Sequence, residues 1–162
     1  MPLSITFDDS AFRKLVKKAG PAARSAALRA GAQSIAEDGT RAFREPALRP
    51  SEWADYSQSK AGQKYKAQKM KKGRTQMLID EGFLAKSIRV ASVDSKRAEI
   101  VSDREYAAYH QFGTKKMPAR PFLPFAGVNS EAGDIMLTKQ GESRAIAAMT
   151  ASLKKSLAPD AK

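Results

Sequence analysis

"KSIRVASVDSKRAEIVSDREYAAYHQFGTKKMPARPFLPF", Lys86 to Phe125, changes its periodicity twice. Ile88 and Val90 alternate with Arg89 and Ala91, and after Asp94-Ser95-Lys96 the alternation resumes at Ala98 and Ile100. Period two on both sides of a polar turn predicts a β-hairpin at about 86–93 and 97–102. Ser102 or Asp103 then offers the N-cap of a short helix running through Phe112. Tyr106, Tyr109 and His110 fall on one face of that helix, and Gly113 stands where a C-cap glycine belongs. Beyond it Pro118, Pro121 and Pro124 each fix a backbone angle and remove a donor, which makes a stiff extended corner.

On the N-terminal side, Leu3, Ile5 and Phe7 alternate with polar residues and read as a short strand. Asp8-Asp9-Ser10 supplies helix caps, and Phe12, Leu15, Val16 and Ala19 follow at helical spacing up to Gly20. Pro21 is well placed to open a second helix to about Arg44. Its face of Leu28, Ala32, Ile35, Gly39 and Ala42/Phe43 is mostly small, so a second backbone can approach closely. That neighbour is either the protein's own core or another subunit. Pro46 and Pro50 close the helix.

On the C-terminal side, Phe122–Phe125 and Ile135–Thr138 read as a second hairpin around a Gly127–Gly133 loop. A last helix starts near Thr138, with Ile146, Met149, Leu153 and Leu157 as its apolar stripe and Lys154 and Lys155 near its C-terminus. Residues 158–162 read as a frayed tail. The expected fold is a single α+β domain over 1–162. A small, mostly antiparallel sheet packs against a long helix in the N-terminal half and a C-terminal helix, and a basic extended arm stands apart.

That arm, or long loop, occupies 49–75. Lys60, Lys64, Lys66, Lys69, Lys71, Lys72 and Arg74 have no acid between them. Such blocks repel internally and often serve as interaction arms. Trp53, Tyr56 and Tyr65 lie in or near it and could stack on bases. The segment reads either as a solvated loop that orders against a partner or as a non-specific contact to a DNA backbone.

The whole chain is basic, with 29 Lys+Arg against 17 Asp+Glu and a formal net charge of +12. An excess of that size points to an acidic partner or to a solvated, solubilising surface. Cysteine is absent, so disulfides and cysteine-based zinc sites are excluded. "MPLSITFDDSAF" lacks the pattern of a signal peptide, and no apolar run approaches the roughly 20 residues of a membrane span. The expectation is a soluble protein of a reducing cytoplasm with no membrane contact.

His110 is the only histidine. Catalysis would need a nucleophile or orienting carboxylate beside it, for which Ser87, Ser102, Asp103 and Glu105 are near in sequence alone. The nucleophile elbow, the zinc-protease motif and the phosphate-binding loop are all missing. Asp80–Glu81 and Glu37–Asp38 are adjacent pairs, which do not face a common site. The expectation is no enzyme, no cofactor and no small-molecule substrate. The corner is instead a candidate docking surface formed by Pro118, Arg120, Pro121, Phe122 and Leu123, with Arg120 presented rigidly for a carboxylate. Phe122 and Phe125 would bury their rings beside Tyr106 and Phe112.

At these residues the chain resembles a known family. "YAAYHQFGTKKMPARPFLPF" is similar to the tyrosine-alanine, H-Q-F-G and P-A-R-P-F-L signature of the phage Mu G-like virion morphogenesis (tail completion) proteins. Tyr106, His110, Gln111, Phe112 and Gly113 carry its first half. The preceding order also fits: a tryptophan in "PSEWADYSQSKAGQKYK", then "MLIDEGFLAKSI", then the hairpin. The resemblance covers roughly Arg49 to Leu123, and Lys60–Arg74 is longer and more basic than the family pattern. It implies a non-enzymatic subunit at the head–tail junction of a tailed phage, either a neck ring or a tail terminator. Its partners would be copies of itself in a ring and other neck or tail proteins. It would reside in the virion, and in host cytoplasm during assembly. It also implies that His110 packs or hydrogen-bonds beneath the corner.

Overall fold

Small residues at helical spacing allow two helices to approach closely, and the long second helix uses them in that way. A computed structural model describes residues 10–73, 76–128 and 135–158. The strand expected at Leu3–Phe7, the caps Asp8 and Asp9, and Arg74 lie outside these residues.

Helix α1 spans Ser10–Lys18 and ends on Lys17 and Lys18, whose charge suits a helix C-terminus. Gly20 is the extended N-cap of α2, Pro21–Ala42, with the proline in its first turn. α2 packs against α6, Lys139–Leu157. At Gly31 an added Cβ would sit 2.7 Å from Met149 Cγ, and at Gly39 it would sit 2.7 Å from Leu123 Cδ2. The small stripe therefore serves the core. Met149 and Leu153 of α6 are completely buried against it, which contributes about 1.5–3 kcal/mol for each side chain. The buried line of α6 is Gly141, Ala145, Met149 and Leu153. Leu157, expected to complete the stripe, is 39% exposed where the helix ends. α6 starts beside Thr138 as expected, and Thr138 caps it, its hydroxyl accepting from Gly141 N at 3.1 Å.

An ion pair crosses the same helix interface. Arg144 Nη1 lies 3.0 Å from the buried Asp38 Oδ1. The contact is off-line for a hydrogen bond, so the attraction is mainly charge to charge. Burial raises the Asp38 pKa above the ordinary carboxylate value, and the Arg144 charge opposes that rise.

The first hairpin forms as expected, from β1, Ile88–Val93, and β2, Ala98–Ser102. Val90 faces Ile100 across an antiparallel ladder, and a bulge falls between Val90 and Ser92. Asp94 Oδ1 accepts from the backbone N–H of Lys96 and Arg97, which closes the turn. Ile88 and Ile100 are buried in the core, and both strands pack on α2. In the second pair the first strand starts three residues later than expected and the second ends one residue earlier. β3 is Phe125–Val128 and β4 is Ile135–Leu137. Pro121 and Pro124 lack ladder donors, so pairing begins at Phe125. Among the described residues the antiparallel structure is thus two separate two-stranded ribbons, not one sheet. The α+β class holds, with helices α2 and α6 as its centre.

Two expectations are corrected. Lys60–Lys71 is not irregular loop but a helix, α3, capped by Ser59, whose hydroxyl accepts from Gly62 N at 3.2 Å. Its lysines, glutamines and alanines are good helix formers even without an apolar stripe. The short helix expected from Ser102 or Asp103 starts later, as α5, Ala107–Phe112. Ser102 Oγ is hydrogen-bonded to Ser87 Oγ at 2.7 Å, and Asp103 is paired with Arg89. A one-turn helix, α4, Phe83–Lys86, leads into β1 from Gly82, whose φ of +78° suits glycine.

Candidate functional site

The proline corner begins at the end of α5. Gly113 has φ +75°, and a Cβ there would lie 2.8 Å from Ala119 N, so the chain can reverse so tightly only at glycine. Thr114 and Met117 close the turn through their backbones, at 2.8 Å and 3.3 Å. Arg120 N then donates to His110 O at 2.7 Å, tying the corner back to the helix.

Gln111 makes the second tie. It is buried, and its Oε1 accepts from the backbone N–H groups of Phe122 at 3.1 Å and Leu123 at 3.0 Å. One side-chain amide thus takes the place of a neighbouring strand for two donors that the prolines leave without a ladder.

Two further ties reach across the chain to residues 53–55. Trp53 Nε1 donates to Pro121 O at 2.7 Å. Arg120 donates from Nε to Ala54 O at 2.8 Å and from Nη2 to Asp55 O at 2.9 Å. Below them Phe43 contacts Trp53 edge-on at 5.6 Å and Phe122 at 5.2 Å between ring centroids. Arg49 lies 3.9 Å over the Trp53 ring and donates to Ala42 O and Phe43 O at the end of α2.

Within the chain the corner residues are turned mostly inward. Arg120, expected to be presented for a carboxylate, is 7% exposed and forks onto backbone carbonyls of its own chain, so it acts here as an internal clamp. Phe122 is 1% exposed and belongs to the core with Phe43 and Trp53, whereas Tyr106 and Phe112, beside which it was expected, are exposed. Leu123 fills the space over Gly39, Pro121 is half-buried, and only Pro118 of the five is exposed. Phe125 is buried.

The rings that do face outward lie on α4, on α5 and its N-cap, and at Tyr65 of α3, 49% exposed. Phe83 is 51% exposed, Tyr106 41%, Tyr109 55% and Phe112 58%. Phe83, Tyr106, Tyr65, Asp80, Met117 and His110 line a cleft of about 520 Å³. Arg104 lies 5.1 Å over the Phe83 ring at its edge.

His110 is half-buried behind this rim, edge-on to Tyr106 at 6.0 Å. Its Nδ1 is buried with no hydrogen-bond partner among the described residues. Burial first, and the Arg120 charge second, hold its pKa below the ordinary 6.5, which favours the neutral ring. Three of the groups near it in sequence are engaged elsewhere. Ser87 and Ser102 bond to each other, and Asp103 bonds to Arg89. Among the described residues no group of three or more His, Asp or Glu side chains could hold a metal ion, and no helix is long and apolar enough to cross a membrane.

The lysine block divides by face. Lys66 Nζ pairs with Asp55 at 2.7 Å. Lys69 is 5% exposed and donates to Gln76 O at 3.2 Å and Ile79 O at 2.9 Å. Tyr65 packs edge-on to Tyr56 at 5.8 Å. Lys60, Lys64, Lys71 and Lys72 remain exposed.

A hairpin and a clamped corner set on two close-packed helices, with aromatic side chains left outward, define a protein of the α+β class. Residues 7–154 match the phage virion morphogenesis family, and the chain belongs to that family. Membership supports a role in virion assembly and points to a structural rather than a catalytic protein. No curated protein and no solved structure matches the chain.

Proposed function

We propose that this protein is a structural subunit of the head–tail junction of a tailed phage, completing the tail or joining it to the capsid. In this reading it contacts copies of itself in a ring and other neck or tail proteins. The observation that carries the docking part is the set of outward rings Phe83, Tyr106, Tyr109 and Phe112, each 41–58% exposed. Aromatic side chains at the surface are costly to leave in water and are the residues on which protein interfaces concentrate their binding energy. The clamped corner fits the same role from beneath. It fixes α5 at Gly113, His110 and Gln111, so the rings are presented without a further ordering cost on binding. Docking thus passes from the buried Arg120 and Phe122 to the face of α5.

The test is complementation of a phage lacking the gene. The wild-type chain should restore joined particles where the null yields separate heads and tails, and a labelled chain should mark the neck or the head-proximal end of the tail. Normal joining in the null, or label elsewhere on the particle, would reject the junction reading.

A further inference from the structure

We propose that the outer face of α3 contacts the phosphate backbone of duplex DNA, through Lys60, Lys64 and Lys71. With about 100° per residue these three lie within about 40° of one another, along roughly 16 Å of helix. All three are exposed, and none has an ion pair or hydrogen bond to another side chain among the described residues. The helix itself contains no acid.

The lysine block is thereby split into two jobs. Lys66 and Lys69 turn inward and fasten the helix, one to Asp55 and the other to two backbone carbonyls. Of the outward three, only Lys71 helps the fold, as a cation in the last turn of the helix. Lys60 and Lys64 are a like-charged i, i+4 pair, which weakens a helix. Lys60 also sits in the first turn, where the helix dipole disfavours a cation. A solitary folded chain gains nothing from either placement, whereas a row of phosphates removes both penalties at once.

The chemistry of the face selects a nucleic-acid backbone over a protein. Between the lysines lie Gln63, Ala67 and Gln68, all exposed, and no large apolar group. Protein interfaces are depleted in lysine and built round aromatic or aliphatic anchors. The exposed Met70 and Tyr65 of the same helix lie off the stripe, about 80° and 100° from its nearest lysine, and the other outward rings are on α4 and α5 and its N-cap. Lysine ammonium groups are point charges suited to phosphate oxygens without base recognition. The net charge of +12 adds a long-range attraction of the same sign. Binding should therefore be independent of sequence and steeply dependent on salt.

The experiment measures anisotropy of a labelled 30-base-pair duplex with the full-length protein across a series of sodium chloride concentrations. Three phosphate contacts contribute about 2.7 to the slope of log K against log salt. The triple variant Lys60→Gln, Lys64→Gln, Lys71→Gln should lose about that much slope and bind more weakly, with an unchanged circular dichroism spectrum. A charge-matched control, Lys17→Gln, Lys18→Gln, Lys154→Gln, should keep most of the slope. Two duplexes of unrelated sequence should bind with similar affinity. Equal losses in both triple variants would mean that net charge alone acts, and would overturn the site. No binding by the wild type at low salt would overturn it too. If the α3 triple variant then lost particle joining, the face would belong to an acidic protein surface instead.

Discussion

The indole N–H of Trp53 donates to the carbonyl oxygen of Pro121 at 2.7 Å, joining two segments 68 residues apart in the chain. The tryptophan and the proline corner are the two most distinctive stretches of the sequence, and here they are one structural unit. Trp53 is 7% exposed, so water cannot easily replace the bond. Trp53→Phe should keep much of the packing on Phe43 but leave the Pro121 carbonyl unsatisfied. The expected loss is about 1–3 kcal/mol, measured by urea unfolding. An unchanged midpoint would show that the bond is not a brace.

Arg120 tests the same brace from the other side. Arg120→Ala removes a charged donor from two carbonyls in a buried setting, and should cost at least about 2 kcal/mol. An exposed ion pair is a useful contrast. Arg41→Ala breaks the exposed pair with Glu45 at 2.7 Å and should change the melt little. Equal, small effects in the two variants would return Arg120 to the role of a surface anchor.

What the sequence made legible, and what it hid, follows from the range of the interactions. The hairpin, the start of α2 at Pro21 and the cap of α6 at Thr138 are fixed by neighbours within a few residues. Their signals are local: alternation, a turn aspartate, a proline, a capping hydroxyl. α3 was hidden because apolar periodicity is the usual mark of a helix, and this one is held by Lys66 and Lys69 through polar ties. Ser59 ahead of a run of good helix formers was the available signal. Arg120 could not be placed at all from sequence. Its partners are carbonyls 65 and 66 residues upstream, which no side-chain pattern records.

The single histidine makes pH a clean probe. The pKa of His110 is lowered by burial and then by Arg120, while in the unfolded chain it returns to about 6.5. The unfolded state then binds more protons between the two values. Stability is fully present above the unfolded value and falls as pH drops through 6.5 toward the folded value. Arg120 is the charge next to the ring, and the Asp80 and Glu81 carboxylates share its cleft. His110→Gln keeps an uncharged polar side chain and should remove this slope between about pH 7.5 and 5.5 in melting experiments. The same slope in the variant would mean that another group carries it. Normal folding of His110→Gln with no infectious particles would count against a purely structural histidine.

Tyr109 and Phe112 test the docking face. They stand three residues apart on α5, 55% and 58% exposed, and so share one side of the helix. Exposed substitutions away from caps and turns usually shift stability by no more than about 0.5 kcal/mol. Tyr109→Ser with Phe112→Ser should therefore leave the isolated subunit close to wild type in thermal melting. Truncating an aromatic anchor in an interface costs about 2 kcal/mol or more, and two neighbouring anchors more than one. At about 1.4 kcal/mol for each tenfold change in affinity, the double variant should bind a neighbour at least tenfold more weakly. The paired readout is the melt of the purified variant and its yield of joined particles in complementation. A normal melt with few joined particles supports docking through α5. A normal melt with a normal yield would remove this face from the assembly. A depressed melt would mean that the rings stabilise the subunit itself. Tyr109→Phe then separates the ring from its hydroxyl, because the conservative change should restore the yield if apolar contact is what the neighbour uses.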